Sequence, residues 1–226
     1  MCIRDRVLVY LYNFRVLDLD RNPYMSGMIK NVYAFVNLAM AGLVMATVCA
    51  RFVFPAVSAE GAAFWIIRTA PVSLRSFLWS KFWTGFVPVF LLTELLTVAA
   101  NHLLGVDPLL RVVSAIAVFF MSLALVGLAT GLGARYPRFN ADNPSQVAGS
   151  YGGVAFMILA VLFMLTLIAL IGWPSSMYLW YKAAHMRIPD YVQLIGAACF
   201  AGALVMSLST WWYGMRSGVR ALEDMG

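Results

Sequence analysis

The chain has 226 residues, of which 62% are hydrophobic and 12% are charged, whereas an ordinary soluble domain has roughly 45–50% and about 25%. This composition excludes a typical cytosolic enzyme. The net charge is +6 and the mean hydropathy is +0.82. Nucleic-acid-binding proteins carry their positive charge on a polar surface, whereas this chain is strongly apolar. The excess of basic residues therefore indicates orientation in a membrane and not nucleic-acid binding. The cysteines Cys2, Cys49 and Cys199 are too few and too scattered for a disulfide framework or a zinc site.

The chain begins with Met-Cys-Ile-Arg-Asp-Arg, which matches the translation of a transposase adapter used in shotgun library preparation. We therefore expect residues 1–6 to be foreign to the natural protein and residues 7–226 to form a single transmembrane domain. On this interpretation the apolar segment Val7–Phe14 is the tail of a helix whose beginning is missing.

Five stretches further along the chain are long and apolar enough for membrane spans. A bilayer core needs about 20 consecutive apolar residues in a helix, and these stretches are too long and too uniformly apolar for buried strands. They predict an all-α integral membrane protein with five transmembrane helices. The predicted spans are Val32–Ala50, Phe82–Leu104, Val112–Ala134, Gly149–Gly172 and Tyr191–Tyr213.

The distribution of lysine and arginine gives a weak orientation, since cytoplasmic loops carry an excess of both. With the C-terminus in the cytoplasm, eight basic residues lie in the inner segments and eight in the outer loops and the N-terminal stretch. Leaving out Arg4 and Arg6 as foreign residues changes the comparison to eight against six. Because of this small excess of basic residues in the inner segments, we expect the C-terminus in the cytoplasm.

The insert from Ser58 to Lys81, between the first two predicted spans, mixes polar and apolar residues and predicts two short helices around a turn. Ser58 is expected to cap the first helix, which cannot continue through Pro71 because proline lacks an N–H. Ser73 is expected to cap a second helix that runs into the next span. The first helix would lie along the membrane interface, and a plain surface linker is the alternative.

Four motifs in two separate loops resemble those of a known family. They lie at Phe54–Ser58, Glu60–Trp65, Arg68–Ser73 and Tyr136–Gln146. The combination resembles permease subunits of type-two ATP-binding-cassette exporters, and more closely a group of large permeases of that class, over roughly residues 7–213. The resemblance implies a six-span unit in a bacterial cytoplasmic membrane with both termini in the cytoplasm. This chain would be its C-terminal fragment, with both motif loops cytoplasmic.

The same resemblance implies that the insert is a coupling helix, which docks on an ATPase subunit and moves with it. Charged side chains would set the docking register, Gly61 would permit close approach of a partner backbone, and tryptophans with Pro71 would fix the angle of the helix. The expected coupling residues are Glu60, Gly61, Trp65, Arg68, Pro71, Ser73, Arg75 and Lys81.

Partners follow from the resemblance as well. They are an ATP-binding-cassette ATPase on the cytoplasmic side, a second permease half or a second copy of the chain, and the lipid bilayer. No nucleic-acid partner and no cofactor are expected.

Glu94 is the charged residue placed deepest in a predicted span, where a carboxylate is costly unless it is paired, protonated or facing water. Thr93 and Thr97 are close to it in sequence, and Asn101 lies further along the same helix. A polar stripe along one side of this helix would serve a substrate pathway or a proton-sensitive group. An interhelical hydrogen-bond anchor and a shifted span are the alternatives.

Two other patterns concern helix packing and helix starts. The spacings Gly127-x-x-x-Gly131 and Gly149-x-x-x-Gly153 let helices approach closely. The pair Asn143-Pro144 is expected to cap and start a helix that enters the fourth span.

The sequence contains no Gly-x-x-x-x-Gly-Lys-Ser/Thr loop for phosphate binding, so we expect no ATP hydrolysis by this chain itself. No catalytic, cofactor or metal site is predicted, and His102 and His185 stand apart from other metal-binding side chains. The function favoured at this point is a permease subunit that moves an unidentified substrate with ATP hydrolysed by a separate subunit. The alternative is a non-transport membrane protein, either an enzyme or a scaffold.

Overall fold

The computed structural model describes residues 23–69, 71, 73–103, 105–139, 143–184 and 189–224. The predicted foreign start at residues 1–6 and the predicted helix remnant Val7–Phe14 lie outside these ranges. Throughout the described ranges the chain is helical or irregular, without strands, which confirms the all-α class.

Five long helices carry most of the described chain, joined by short helices and turns. All five are long and apolar enough to cross a membrane, as predicted. Most of these helices extend beyond the predicted spans. The long helices are α1 (Pro23–Val48), α3 (Leu74–Leu103), α4 (Pro108–Arg135), α6 (Tyr151–Ala183) and α7 (Asp190–Asp224). The short helices are α2 (Phe64–Thr69) and α5 (Pro144–Ala148), and tighter or wider turns cover Cys49–Val53, Phe54–Ala56 and Ser58–Ala63.

The ends of α3 and α4 are fixed by short polar side chains. The backbone N–H of Ser76 donates to Ser73 Oγ over 3.2 Å, so the predicted cap at Ser73 is confirmed. Asp107 caps α4, because its Oδ1 accepts a hydrogen bond of 3.1 Å from the N–H of Leu109.

Two predicted caps are wrong. The turn at Ser58–Ala63 starts without a side-chain hydrogen bond from Ser58. Helix α5 does begin at Pro144, but the Asn143 side chain makes no capping bond. Because α5 has only five residues and ends at Ala148, it is separate from α6 and does not lead directly into the fourth span.

Helix α4 is the centre of the bundle and contacts each of the other four long helices. Of its most apolar window, 56% is buried inside the protein, against 17% for α7. Val118, Met121 and Leu125 on α4 are fully buried. The remaining helices therefore surround α4 and expose much of their apolar surface outward.

Helices α4 and α7 touch backbone to backbone along a glycine seam, which consists of Gly127, Gly131, Gly214 and Gly218. A Cβ atom on Gly131 would overlap the carbonyl group of Gly214, and one on Gly218 would come within 2.8 Å of the Cα of Gly131. The predicted close approach at Gly127 and Gly131 thus occurs, and the matching Gly214-x-x-x-Gly218 spacing on α7 was not predicted.

Gly149 and Gly153 do not form a comparable interface. A Cβ on Gly153 would overlap the carbonyl of Ala148, so this glycine serves the tight bend between α5 and α6.

An aromatic ladder joins α3 to α4. Phe82, Phe86 and Phe90 recur every fourth residue on α3, and their rings stack with centroids 5.6 and 5.7 Å apart. Phe119 of α4 meets Phe90 edge to face at 5.4 Å. The ladder begins near the end of α3 that carries the insert and runs toward the middle of the bundle.

Candidate functional site

The insert and the second motif loop form one structure, which we call the cap and define as residues 58–69 together with residues 136–139. Ser58–Ala63 is a tight helical turn that leads into α2, and Pro71 lies exposed in the turn that follows. Helix α3 then begins at Leu74 and continues to Leu103, so the second helix of the insert runs into the next span, as predicted.

Aromatic stacking joins the two halves of the cap. Phe64 of α2 is buried and stacks on Phe139 with ring centroids 4.7 Å apart and planes inclined by 22°. Phe77 of α3 meets Phe64 from another side at 6.1 Å. Phe64 therefore packs inside the protein.

A nonlocal hydrogen bond and a tight turn complete this contact. The backbone N–H of Arg138 donates to Ser58 Oγ over 3.0 Å. The Ser58 hydroxyl, which was expected to cap a helix, therefore accepts a hydrogen bond from the other loop. Gly61 has φ +52°, and a Cβ there would lie 3.6 Å from the carbonyl oxygen of Phe139. Glycine is favoured at this point by its positive φ.

An ion pair ties the cap to α3. Lys81 Nζ donates to Glu60 Oε1, and the two side chains are 25% and 28% exposed. The Lys81 ammonium also lies 5.5 Å from the centre of the Phe77 ring, within the range of a cation–π contact. Glu60, Gly61 and Lys81, three of the residues expected to act together, are thus brought together by the fold.

Beneath the cap, the Phe54–Ala56 turn is held by glycine contacts and a ring stack. A Cβ on Gly133 would overlap the carbonyl of Phe54, and the Phe54 ring stacks on Phe156 of α6 at 6.2 Å. The Phe54–Ser58 motif is therefore packed between α4 and α6 through Phe54.

The other expected coupling residues are distributed differently. Trp65 and Arg68 lie on α2, but their side chains are outside the described part of the structure. Ser73 acts as the α3 cap. Arg75 is exposed and faces α7, where it lines a groove with other basic residues.

A second candidate site is the polar row on α3, formed by Thr93, Thr97 and Asn101, whose side chains are buried. Asn101 Nδ2 donates to Ser114 Oγ on α4 over 2.6 Å. This bond joins two helices, as expected for an interhelical anchor. The Thr93 hydroxyl donates to the carbonyl of Val89 over 2.7 Å.

Glu94 is next to this row and is partly buried. Its Oε2 atom is inaccessible and has no hydrogen-bond partner among the described residues. Among the described residues no three His, Cys, Asp or Glu side chains come close enough to hold a metal ion.

Comparison with known proteins gives one match. The family described as "Putative ATP-binding cassette" matches residues 3–226. The comparisons with curated proteins and with solved structures found no match.

This match corrects the function expected from the loop motifs. A permease subunit energised by a partner ATPase, with a second permease half or copy beside it, is the wrong assignment, because the match gives the chain itself the ATP-binding-cassette description. The permease resemblance depended on short motifs in two loops, whereas the match extends over nearly the whole chain. The relation to ATP-binding-cassette transporters remains.

Proposed function

This chain belongs to the ATP-binding cassette family of that match, and from this premise we propose that it is a membrane-spanning component of an ATP-binding-cassette system. The observation that carries the proposal is the bundle of five helices long and apolar enough to cross a membrane. The proposed location is the bacterial cytoplasmic membrane, with the cap and the C-terminus on the cytoplasmic side.

Exposed apolar side chains support insertion in a membrane. Leu95 on α3 and Leu194 and Val205 on α7 are 70%, 73% and 67% exposed. A soluble monomer rarely exposes contiguous apolar patches of large size, whereas lipid covers them without cost.

Basic residues support the orientation. Within the described ranges, eight lie at the cap end of the helices and three at the opposite end, and cytoplasmic segments carry the excess. At the cap end they are Arg51, Arg68, Arg75, Lys81, Arg135, Arg138, Arg216 and Arg220; at the opposite end they are Lys30, Arg111 and Lys182.

The cap is the proposed point at which the nucleotide state of the system acts on the membrane helices. Its two loops are joined to each other by the Phe64–Phe139 stack and to α3 by the Glu60–Lys81 pair. Displacement of the cap would therefore be passed to α3. We further propose that the chain does not hydrolyse ATP by itself, since its sequence has no Gly-x-x-x-x-Gly-Lys-Ser/Thr loop.

Site-directed labelling tests the membrane proposal. In a chain whose native cysteines are replaced by serine or alanine, Ile66→Cys places a thiol in the cap and the matched Pro108→Cys places one at the opposite end of the bundle; both positions are exposed. A membrane-impermeant maleimide should label Ile66→Cys only in inside-out vesicles and Pro108→Cys only in intact cells. Labelling of both from one side would overturn the proposal.

The same vesicles test the role of the cap. Addition of ATP should change the rate at which Ile66→Cys is labelled and leave other exposed positions unchanged. Separately, the purified chain should release no phosphate from Mg–ATP above the level of a protein-free solution. Phosphate release that rises with protein concentration would contradict the second proposal.

A further inference from the structure

A groove of about 400 Å³ lies at the cap end of the bundle, between the beginning of α3 and the last turns of α7. We call it the arginine groove. It is lined by Arg75, Trp79, Trp211, Trp212, Met215, Arg216, Val219, Arg220 and Glu223.

The groove gathers positive charge that forms no ion pair with any residue in the described ranges. Arg75, Arg216 and Arg220 are exposed, and none of them forms an ion pair within the described part of the chain. Glu223 lines the same groove but lies outside ion-pair distance of all three. Guanidinium groups that line the same groove repel one another, and an anion bound among them would reduce this repulsion.

The position of the arginines follows from the length of α7. The helix continues past Tyr213, where the apolar stretch ends, as far as Asp224. Arg216 and Arg220 are four residues apart and so share one face of the helix. That face presents both charges just beyond the apolar part of the helix.

Tryptophans form the other wall of the groove. Trp79 and Trp211 meet edge to face with ring centroids 5.9 Å apart, and Trp212 is half exposed. Indole rings favour the boundary between hydrocarbon and headgroups. An apolar aromatic wall beside unpaired guanidinium groups matches a molecule with a hydrocarbon part and a phosphate.

We propose that the arginine groove binds the headgroup phosphate of an anionic phospholipid. Arginine binds phosphate through paired N–H donors, and basic pockets between spanning helices on the cytoplasmic side suit such headgroups. This inference rests on the proposal that α3 and α7 cross the membrane. A free phosphate or nucleotide would use the arginines but would leave the tryptophan wall without a hydrocarbon partner.

Native mass spectrometry of the purified full chain, given equal amounts of phosphatidylglycerol and phosphatidylcholine, tests the proposal. The wild-type chain should retain phosphatidylglycerol in preference. Replacing any one arginine of the groove by glutamine should lower that preference about five-fold. One basic residue near an anionic membrane surface contributes an effect of this size. The triple variant Arg75→Gln, Arg216→Gln, Arg220→Gln should lose the preference.

The control is the triple variant Arg51→Gln, Arg135→Gln, Arg138→Gln, which removes the same charge from the same end of the bundle outside the groove. It should keep the wild-type preference. An equal loss in both triple variants, or no preference in the wild type, would overturn the inference.

Two further measurements separate the sources of the anion. Inorganic phosphate or ATP at millimolar concentration should leave the lipid adducts in place, and displacement by either would overturn the lipid assignment. Maleimide labelling that confirms the spans while lipid preference is absent would overturn the groove proposal alone. Labelling that contradicts the spans would overturn both.

Discussion

In the glycine seam two helix backbones touch because four residues have no side chain, whereas in the cap two loops touch through the side chains they carry. At Gly131 any added atom meets the carbonyl of Gly214. In the cap, the contact between the loops consists of the Phe64–Phe139 stack and a hydrogen bond, and an ion pair joins the cap to α3. The seam therefore tolerates no enlargement, while the cap can lose one contact and keep the others.

The largest effect is expected from filling the seam. Gly131→Leu inserts a side chain where α4 and α7 backbones touch, and should lower the free energy of unfolding by more than about 3 kcal/mol, because neither helix can give way. Thermal unfolding in detergent measures the loss. The matched variant Gly202→Leu on α7, which has no atom within 4 Å of its added Cβ, should not lower the free energy of unfolding, because leucine has a higher helix propensity than glycine. Equal effects would show that the seam is not tightly packed.

An intermediate effect is expected from emptying the cap. Phe64→Ala removes a buried ring that contacts both Phe139 and Phe77, and should cost about 3 kcal/mol. Limited proteolysis should then cut between residues 58 and 73 faster than in the wild type. Ile66→Ala, on the same helix but 52% exposed, should stay near wild type. Unchanged cleavage in Phe64→Ala would contradict the packing described for the cap.

The smallest effect is expected from the ion pair of the cap. Because both side chains of Glu60 and Lys81 are about a quarter exposed (28% and 25%), their coupling should be about 0.5–1 kcal/mol and should fall as salt is added. A double-mutant cycle with Glu60→Gln and Lys81→Gln measures it through thermal unfolding. Coupling that does not change with salt would mean that the pair is effectively buried.

The sequence was sufficient for the long helices because their signal is local. Each apolar stretch is long enough by itself to predict a helix, and Ser73 and Pro71 give the start of α3 and the end of the preceding segment within a few residues. The helices extend further than predicted because polar turns at their ends, such as Arg216–Asp224 in α7, are helical without being apolar.

The contacts of the cap could not be predicted, because they are nonlocal. Ser58 and Arg138 are 80 residues apart, with α2, α3 and α4 between them. From its neighbours in sequence alone, a serine before a helix is predicted to be a cap. The glycine seam had a detectable signal, since Gly214-x-x-x-Gly218 has the same spacing as Gly127-x-x-x-Gly131. Which two glycine pairs face each other depends on the packing of the bundle.

The family expectation failed for a different reason. Short motifs such as Arg68–Ser73 and Tyr136–Gln146 describe loops, which were expected on the same side of the membrane but not in contact with each other. They could not decide which component of an ATP-binding-cassette system the chain is, and the match over residues 3–226 overturned the permease assignment.

Helix α3 carries Lys81 at the cap and Asn101 in the polar row, about 30 Å apart along one axis at 1.5 Å per residue. Between them lies Pro88, which has no N–H, so one backbone hydrogen bond of the helix is missing. Without that hydrogen bond, α3 is easiest to bend at Pro88, which lies between the part of the helix that pairs with the cap and the part that bonds to α4 through Asn101.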